Sequence, residues 1–337
     1  MSRARRIALL VLVSYVAFAL LVALYGESPR FVALRLFEGS LGSGYGIAQV
    51  LYKATPILFC AVSFEITRRA GLFNVGAEGQ LMLGSLVAAW IGASRATWPP
   101  LLGVLVVALA AASAGALVGA FAGWMRARLG AHEVLTTLVT SRVVEALVAY
   151  VLAHGAALPG TVRTQDLGEG ARLPSLALLL PVFRGTAASL ALVLALLLVA
   201  ALPWWFARTS VGREMQLVGQ GPTVCKIHGI SVARRWIQAF ALSGAAAALA
   251  STATVQGYKG YYEQGLGAGA GFAGLAVALV ARGNPWAMLV TALVIGICEQ
   301  GGLFANAYVP RELISVVIAV LLVVGSSGRL RGAPRAA

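Results

Sequence analysis

The sequence is short of charge: only 11% of its 337 residues are Asp, Glu, Lys or Arg, against about 25% in soluble domains. That is too little polar surface for a protein bathed in water. Aspartate occurs once, at Asp166, which excludes phospho-aspartate chemistry and paired-Asp metal sites within a membrane. The lysines, Lys53, Lys226 and Lys259, follow Tyr52, Cys225 and Tyr258, so no Gly-Lys pair exists to build a Walker A loop. The chain therefore binds no ATP through a P-loop of its own. Cys60, Cys225 and Cys298 are odd in number, far apart and in no CxxC pairing, which argues against a disulfide framework or a thiolate metal site. His132, His154 and His228 have no ligand spacing. No metal or cofactor is expected, and no cluster of His, Cys or Asp supports an integral membrane enzyme.

What the chain has in excess is apolar: 59% hydrophobic residues and a mean hydropathy of +0.85, so membrane spans are counted here instead of soluble domains. The net charge of +14 suggests nucleic acid at first sight. The 26 basic residues, however, lie between apolar runs, as the positive-inside rule places them, and no nucleic-acid partner is expected. Spans are predicted at about 7–24, 46–66, 75–93, 101–124, 134–153, 189–206, 236–255, 268–281, 286–300 and 313–324. The first follows Arg3, Arg5 and Arg6 like a signal peptide, but it is longer than a signal core and lacks the small-x-small cleavage pattern. It is read as a retained span. The expected fold is an all-α integral membrane protein, a polytopic bundle of about ten transmembrane helices forming one domain over residues 1–337.

With the N-terminus inside, sixteen basic residues fall on inner loops and eight, including Arg30, Arg35, Arg95 and Lys259, on outer ones, leaving Lys53 and Arg142 within spans. This two-to-one bias favours both termini inside. The runs 268–281 and 286–300 are short enough to be re-entrant; demoting both together would leave the topology intact. Two connections exceed bare turns: 154–188, expected outside, with an apolar run Leu176 to Leu180 that suits the membrane surface, and 207–235, expected inside.

Gly115, Gly119 and Gly123 form GxxxGxxxG, a stripe that admits a second helix at close range. The glycine run 265–271 has neither a preceding strand nor a downstream acidic partner, so it is read as close helix packing and not a dinucleotide loop. Residues 209–232 read as a short amphipathic helix, a Gly-Pro turn and a second short helix, with Met215, Leu217, Val218, Val224 and Ile227 as apolar positions. They form either a lipid-surface segment or a docking element for a protein inside. Charges within spans each cost about 2.5–3.5 kcal/mol at mid-membrane and normally face protein or water; the candidates are Lys53, Glu78, Arg142, Glu145 and Glu299. Arg142 and Glu145 are three apart and can neutralise each other, as a structural pair or as part of a pathway. Asn74, Glu78 and Gln80 lie among Gly76, Ala77 and Gly79, a segment suited to a polar path or a tight turn.

The run from Gly71 to Gln80, GLFNVGAEGQ, resembles the GxFNxGxEGQ signature of permease subunits in bacterial ABC importers of the simple-sugar and nucleoside branch, related to the ribose and branched-chain amino acid permeases. His132 to Thr137 is similar to that branch's NEVxxT segment, 212–232 to its cytoplasmic coupling loop and 271–285 to its GFxGIAVALLGxxNP stretch, in the family's order. The resemblance implies a multi-pass subunit of the bacterial inner membrane that contributes a pathway and no catalysis. It also implies three partners: an ATP-binding subunit, a second permease (the same chain or a sister) and an extracytoplasmic substrate-binding protein. Carried onto this sequence, ATPase coupling falls on Arg213, Glu214, Gly219, Pro222 and Gly229, and the pathway on Asn74, Glu78, Gln80, Glu133, Thr136 and Thr137; the in-span Arg142 and Glu145 join the candidates. The chain departs from the pattern at His132, where Asn is usual, and at Ser141-Arg142, where an Asn-aromatic pair is common. The cargo implied is a nucleoside or simple sugar. The alternative is a secondary carrier coupling Glu78, Arg142 or Glu299 to protons, which has no need of the 209–232 element.

Overall fold

The computed structural model describes residues 3–93 and 98–327, with side chains for 12–93 and 98–323. Arg95, Arg329, Arg331 and Arg335, and the side chains of Arg3, Arg5 and Arg6, lie outside the described residues. The described chain is helical, with only isolated bridges between loop residues. The helices are α1 (Arg3–Leu24), α2 (Pro29–Ser40), α3 (Gly44–Arg69), α4 (Ala77–Ala93), α5 (Pro100–Leu129), α6 (Glu133–Val151), α7 (Ala191–Arg208), α8 (Ser210–Gln220), α9 (Pro222–Ile227), α10 (Val232–Ala248), α11 (Ala270–Ala281), α12 (Pro285–Ala305) and α13 (Arg311–Ser327). Wide-turn segments extend α6 through Leu152–Ala156 and follow α10 at Thr252–Lys259.

Each apolar run expected to span corresponds to one of these helices. Six are long and apolar enough to cross a bilayer, or seven if Leu12–Leu24 and Pro29–Ser40, bent by 112°, make one broken span. The paired runs near the C-terminus have different fates. α12 has 21 residues and qualifies. α11 has 12 and reaches only about 18 Å at ~1.5 Å per residue. The turn before it starts at one end of the bundle, where Tyr262 is hydrogen-bonded to Thr164 of the long loop, whereas Gly283 lies beside Glu65, Arg68 and Arg69 at the opposite end. The glycine run, expected from sequence to pack closely throughout, does so at its end but opens as a left-handed turn. Gly265, Gly267 and Gly269 all have φ between +80° and +89°, a left-handed backbone that L side chains resist, and they form an unwound passage into α11. Gly271, the last of the run, and Gly274 beyond it pack closely, against Glu78 and Cys60.

Helix ends follow their local chemistry. The side chains of Ser43, Thr209 and Asn284 accept the first free amides of α3, α8 and α12, and Pro285 opens α12 where no amide is needed. α5 ends on Gly130 at φ +66°. The GxxxGxxxG stripe of α5 meets α10: a Cβ on Gly115 would strike the Gly244 carbonyl, one on Gly119 the Phe240 carbonyl, and one on Gly123 would lie 2.9 Å from Ile237 Cα. α2, in a stretch with no expected helix, packs on α12, with Gly39 against Phe304 and Leu36 against Gly301. Arg35 stacks over Phe31 and Tyr308 at 5.1 and 5.8 Å.

Basic helix ends gather at one end of the bundle. Arg69 lies over Phe206, Arg126 over Trp236, and Arg235 is paired to Glu214. The 157–190 loop covers the other end, with Leu167 against Gly92, and the Gln256 side chain donating to the Ala171 carbonyl at 3.0 Å. Its Leu176 and Phe183 are buried, while Leu178, Leu179 and Leu180 are exposed.

Candidate functional site

Between α3 and α4 the chain turns at Gly71 (φ +75°) and runs without helix to Gly76. Asn74, wholly buried, organises this segment. Its amide nitrogen donates to Gln80 Oε1 at 2.8 Å and to Ser243 Oγ at 2.7 Å, and its Oδ1 accepts from the Gly76 amide at 2.9 Å. Ser243 donates in turn to the Ser63 carbonyl at 2.7 Å. A buried polar cluster satisfied in this way fixes one geometry, here joining α3, α4 and α10.

Glu78, in the first turn of α4, points at α11. Its two carboxylate oxygens accept the Gly269 and Gly271 amides at 2.6 and 2.8 Å. Free amides and the positive end of the helix dipole make a helix N-terminus a natural place for an anion, and this carboxylate fills it. α6 closes the third side. The Val75 amide donates to Thr137 Oγ1 at 3.2 Å and the Gly79 amide to Ser141 Oγ at 2.9 Å. Gly76 and Gly79 carry no side chain because a Cβ would stand 2.7 Å from the Thr137 carbonyl and the Ser141 Cα respectively.

The structure therefore brings Asn74, Glu78, Gln80 and Thr137 into one assembly. Thr136 uses its hydroxyl on the His132 carbonyl of its own helix. Glu133 faces Arg126 of α5, with oxygen and nitrogen 3.4 Å apart. Arg142 and Glu145 pair at 2.7 Å on the open side of α6, with side chains 64% and 46% exposed, so they are not part of the buried cluster. Sequence reasoning missed Ser63 and Ser243, which carry no charge to mark them, and noted Ser141 only as a departure from the family pattern. It also missed Glu65, whose buried carboxylate accepts from Arg68 at 2.6 and 2.8 Å and from Arg69 at 2.8 Å. That trio had a signal: a carboxylate closing an apolar run with arginines three and four residues on.

The 209–232 element forms the two short helices expected. α8 buries Met215 and Val218, and Glu214 is held by Arg235 at 2.7 Å. Gly219 packs so closely on the end of α3 that a Cβ would strike the Arg69 carbonyl and stand 2.8 Å from the Gly71 amide nitrogen. Arg213 donates to the Ala207 carbonyl at 3.3 Å; Pro222 opens α9; Gly229, at φ +78° with open space around it, ends the element. Leu217, Val224 and Ile227 are 48%, 58% and 79% exposed. They form an apolar strip at the basic end of the bundle.

An apolar helical bundle, a helix broken at depth with its N-terminus held by a carboxylate, and a docked helical pair with an uncovered apolar strip define a multi-pass membrane permease built to work with a partner. Comparison with known proteins names the kind. Residues 46–325 match the family described as branched-chain amino acid transport system / permease component, and the chain belongs to that family. It is similar to a glucose ABC transporter permease of Haloferax volcanii (29% identical, covering 85% of this chain and 77% of the relative). It is similar also to a nucleoside ABC transporter permease of Lactococcus lactis (26%, covering 90% and 85%) and to a guanosine ABC transporter permease of Bacillus subtilis (28%, covering 95% and 92%). The chain is thus the translocation subunit of an ABC importer, which sets aside the ion-coupled carrier.

Proposed function

We propose that this chain forms part of the pathway by which a nucleoside or simple sugar enters the cell, in a complex with a separate ATP-binding subunit, a second permease and an external substrate-binding protein. The membrane is the bacterial inner membrane. Residues 1–337 act as one transmembrane domain that crosses ten times, with α1 and α2 counted as one passage and the 260–281 turn and helix as another. Both termini and the 207–235 element are inside, and 154–188 is outside. The observation that carries this reading is the apolar strip Leu217, Val224 and Ile227, exposed on helices otherwise docked by Gly219, Met215 and Val218. Burying each such side chain in a cleft on the ATP-binding subunit contributes about 1.5–3 kcal/mol, enough for a short element to transmit closure. In the pathway, Asn74, Glu78, Gln80, Thr136 and Thr137 hold its wall in shape. Glu133 braces α6 against α5, and Arg142 and Glu145 face the solute or the second permease.

The test is substrate-stimulated ATP hydrolysis by the purified complex at equal subunit stoichiometry. Gly219→Arg inserts normally but loses stimulation, because its side chain lifts α8 from α3. Full stimulation would return the strip to a lipid-surface role. Vesicles holding this chain alone show no ATP-dependent uptake, and uptake by the lone chain would overturn the reading.

A further inference from the structure

Between α11, α12 and α13 lies a cavity of about 440 Å³, into which Lys53 reaches from α3. Its lining is sorted by depth. α12 leaves the basic end of the bundle, where Gly283 lies beside Arg68 and Arg69, and carries Glu299 toward the loop-covered end; α13 starts back from there with Arg311. Lys53 lies in the half of α3 that begins at Gly44, beside Val182 of the loop. The three charged residues of the cavity thus share one end of it, and Ile295, Ile318 and Leu322 wall the other. From Arg311 to Leu322 the wall of α13 is about 16 Å long at ~1.5 Å per residue, close to one leaflet's half of the ~30 Å hydrocarbon core.

The charges do not cancel. Glu299 faces Lys53 at 3.9 Å, with side chains 39% and 20% exposed, a loose pair that balances one cation. Arg311 is exposed and forms no ion pair among the described residues. One positive charge is left over, on a guanidinium whose fork matches two oxygens of a phosphate. The cavity also opens sideways: Phe272 and Leu303 are 44% and 47% exposed, and Ala319 is exposed beside them. In a chain surrounded by bilayer, an apolar slot one leaflet deep and open along its side meets lipid, and basic pockets between transmembrane helices suit anionic head groups.

We propose that this cavity binds an anionic phospholipid, with its phosphate on Arg311 and Lys53 and one acyl chain in the slot between α11, α12 and α13. Bound there, the lipid bridges α3 to α13. The proposal does not depend on the identity of the cargo.

Ser315 of α13 lines the cavity with an exposed side chain, and the native thiol Cys298 lines it too. In the complete complex carrying Cys298→Ser and Ser315→Cys, Cys60 and Cys225 remain buried, and N-ethylmaleimide added to this chain, read by mass, reports on position 315. In uncharged detergent, after lipid has been stripped away, phosphatidylglycerol slows that labelling, phosphatidylcholine slows it only weakly and inorganic phosphate leaves it unchanged. Arg311→Gln raises the phosphatidylglycerol concentration needed for half-protection by about ten- to a hundredfold, the loss expected for a hydrogen bond between charged groups. Ala319→Trp, which leaves the charges alone and fills the slot, weakens protection by both lipids and serves if Arg311→Gln fails to assemble. Equal protection by the two lipids, or undiminished protection in Arg311→Gln, overturns the proposal. So does protection by inorganic phosphate, which would make the mouth a free-anion site. A position 315 that stays unreactive in the lipid-stripped complex would make the slot a contact with another subunit, and likewise overturns it.

Discussion

Glu78 and Glu299 both lie on helices within an apolar bundle, yet they are built in differently. Glu78 accepts two backbone amides and sits in a cluster whose hydroxyls and amides are matched across α3, α4, α6 and α10. Glu299 borders a cavity and faces Lys53 at 3.9 Å. A buried carboxylate matched by backbone amides holds helices in place, whereas a half-exposed one facing a lysine at 3.9 Å holds little. The two should therefore respond unequally to the same substitution.

The largest effect is expected at Glu78. Glu78→Leu removes two hydrogen bonds to a charged acceptor, each worth about 1.5–3 kcal/mol, and leaves the first amides of α11 unpaired. Thermal unfolding of the purified complex should show a loss of about 3–6 kcal/mol. Glu299→Leu should leave the unfolding midpoint nearly unchanged, since a carboxylate that is 39% exposed and 3.9 Å from its lysine contributes little as an ion pair. Equal destabilisation by both would erase the distinction.

Next comes the dry seam between α5 and α10. Gly119→Leu drives a side chain into the Phe240 carbonyl, a clash costing about 1–3 kcal/mol or more, and the same unfolding assay reads it. Gly229→Arg should act more weakly than Gly219→Arg on ATPase stimulation. Gly229 has open space and only its left-handed φ to lose, whereas Gly219 has both the Arg69 carbonyl and Gly71 against it.

The smallest effect concerns topology. Cys225 is only 5% exposed, so its failure to react with an impermeant thiol reagent says nothing about sidedness. Ile227→Cys, at a 79% exposed position, is the informative probe. It should react in inverted vesicles stripped of the ATP-binding subunit and not in intact cells.

The apolar runs were legible because a helix in lipid must be apolar along most of its length, and the glycine stripe because spacing alone puts three glycines on one face. α2 was not legible: Arg35 and Glu38 break its apolar pattern, and the partners that stabilise it, Phe304 and Tyr308, lie far along the chain. The 71–80 segment was recognisable as polar, but the sequence does not reveal that Asn74 bonds to Ser243 across 169 positions. Nor does it reveal that Glu78 reaches the amide of Gly271. Pattern reports which residues are unusual for their surroundings; only the packing shows which are already matched.

The close approach of α5 and α10 also limits motion. Gly115 and Gly244 each lie against the other's carbonyl, and Gly119 against that of Phe240, so neither helix can turn about its axis without driving backbone into backbone. Mechanically the two are one rod, fixed at its basic end to α8 through Arg235 and Glu214. A push on α8 therefore moves both helices together, and the relative displacement that opens the chain to one side or the other has to arise elsewhere in the bundle.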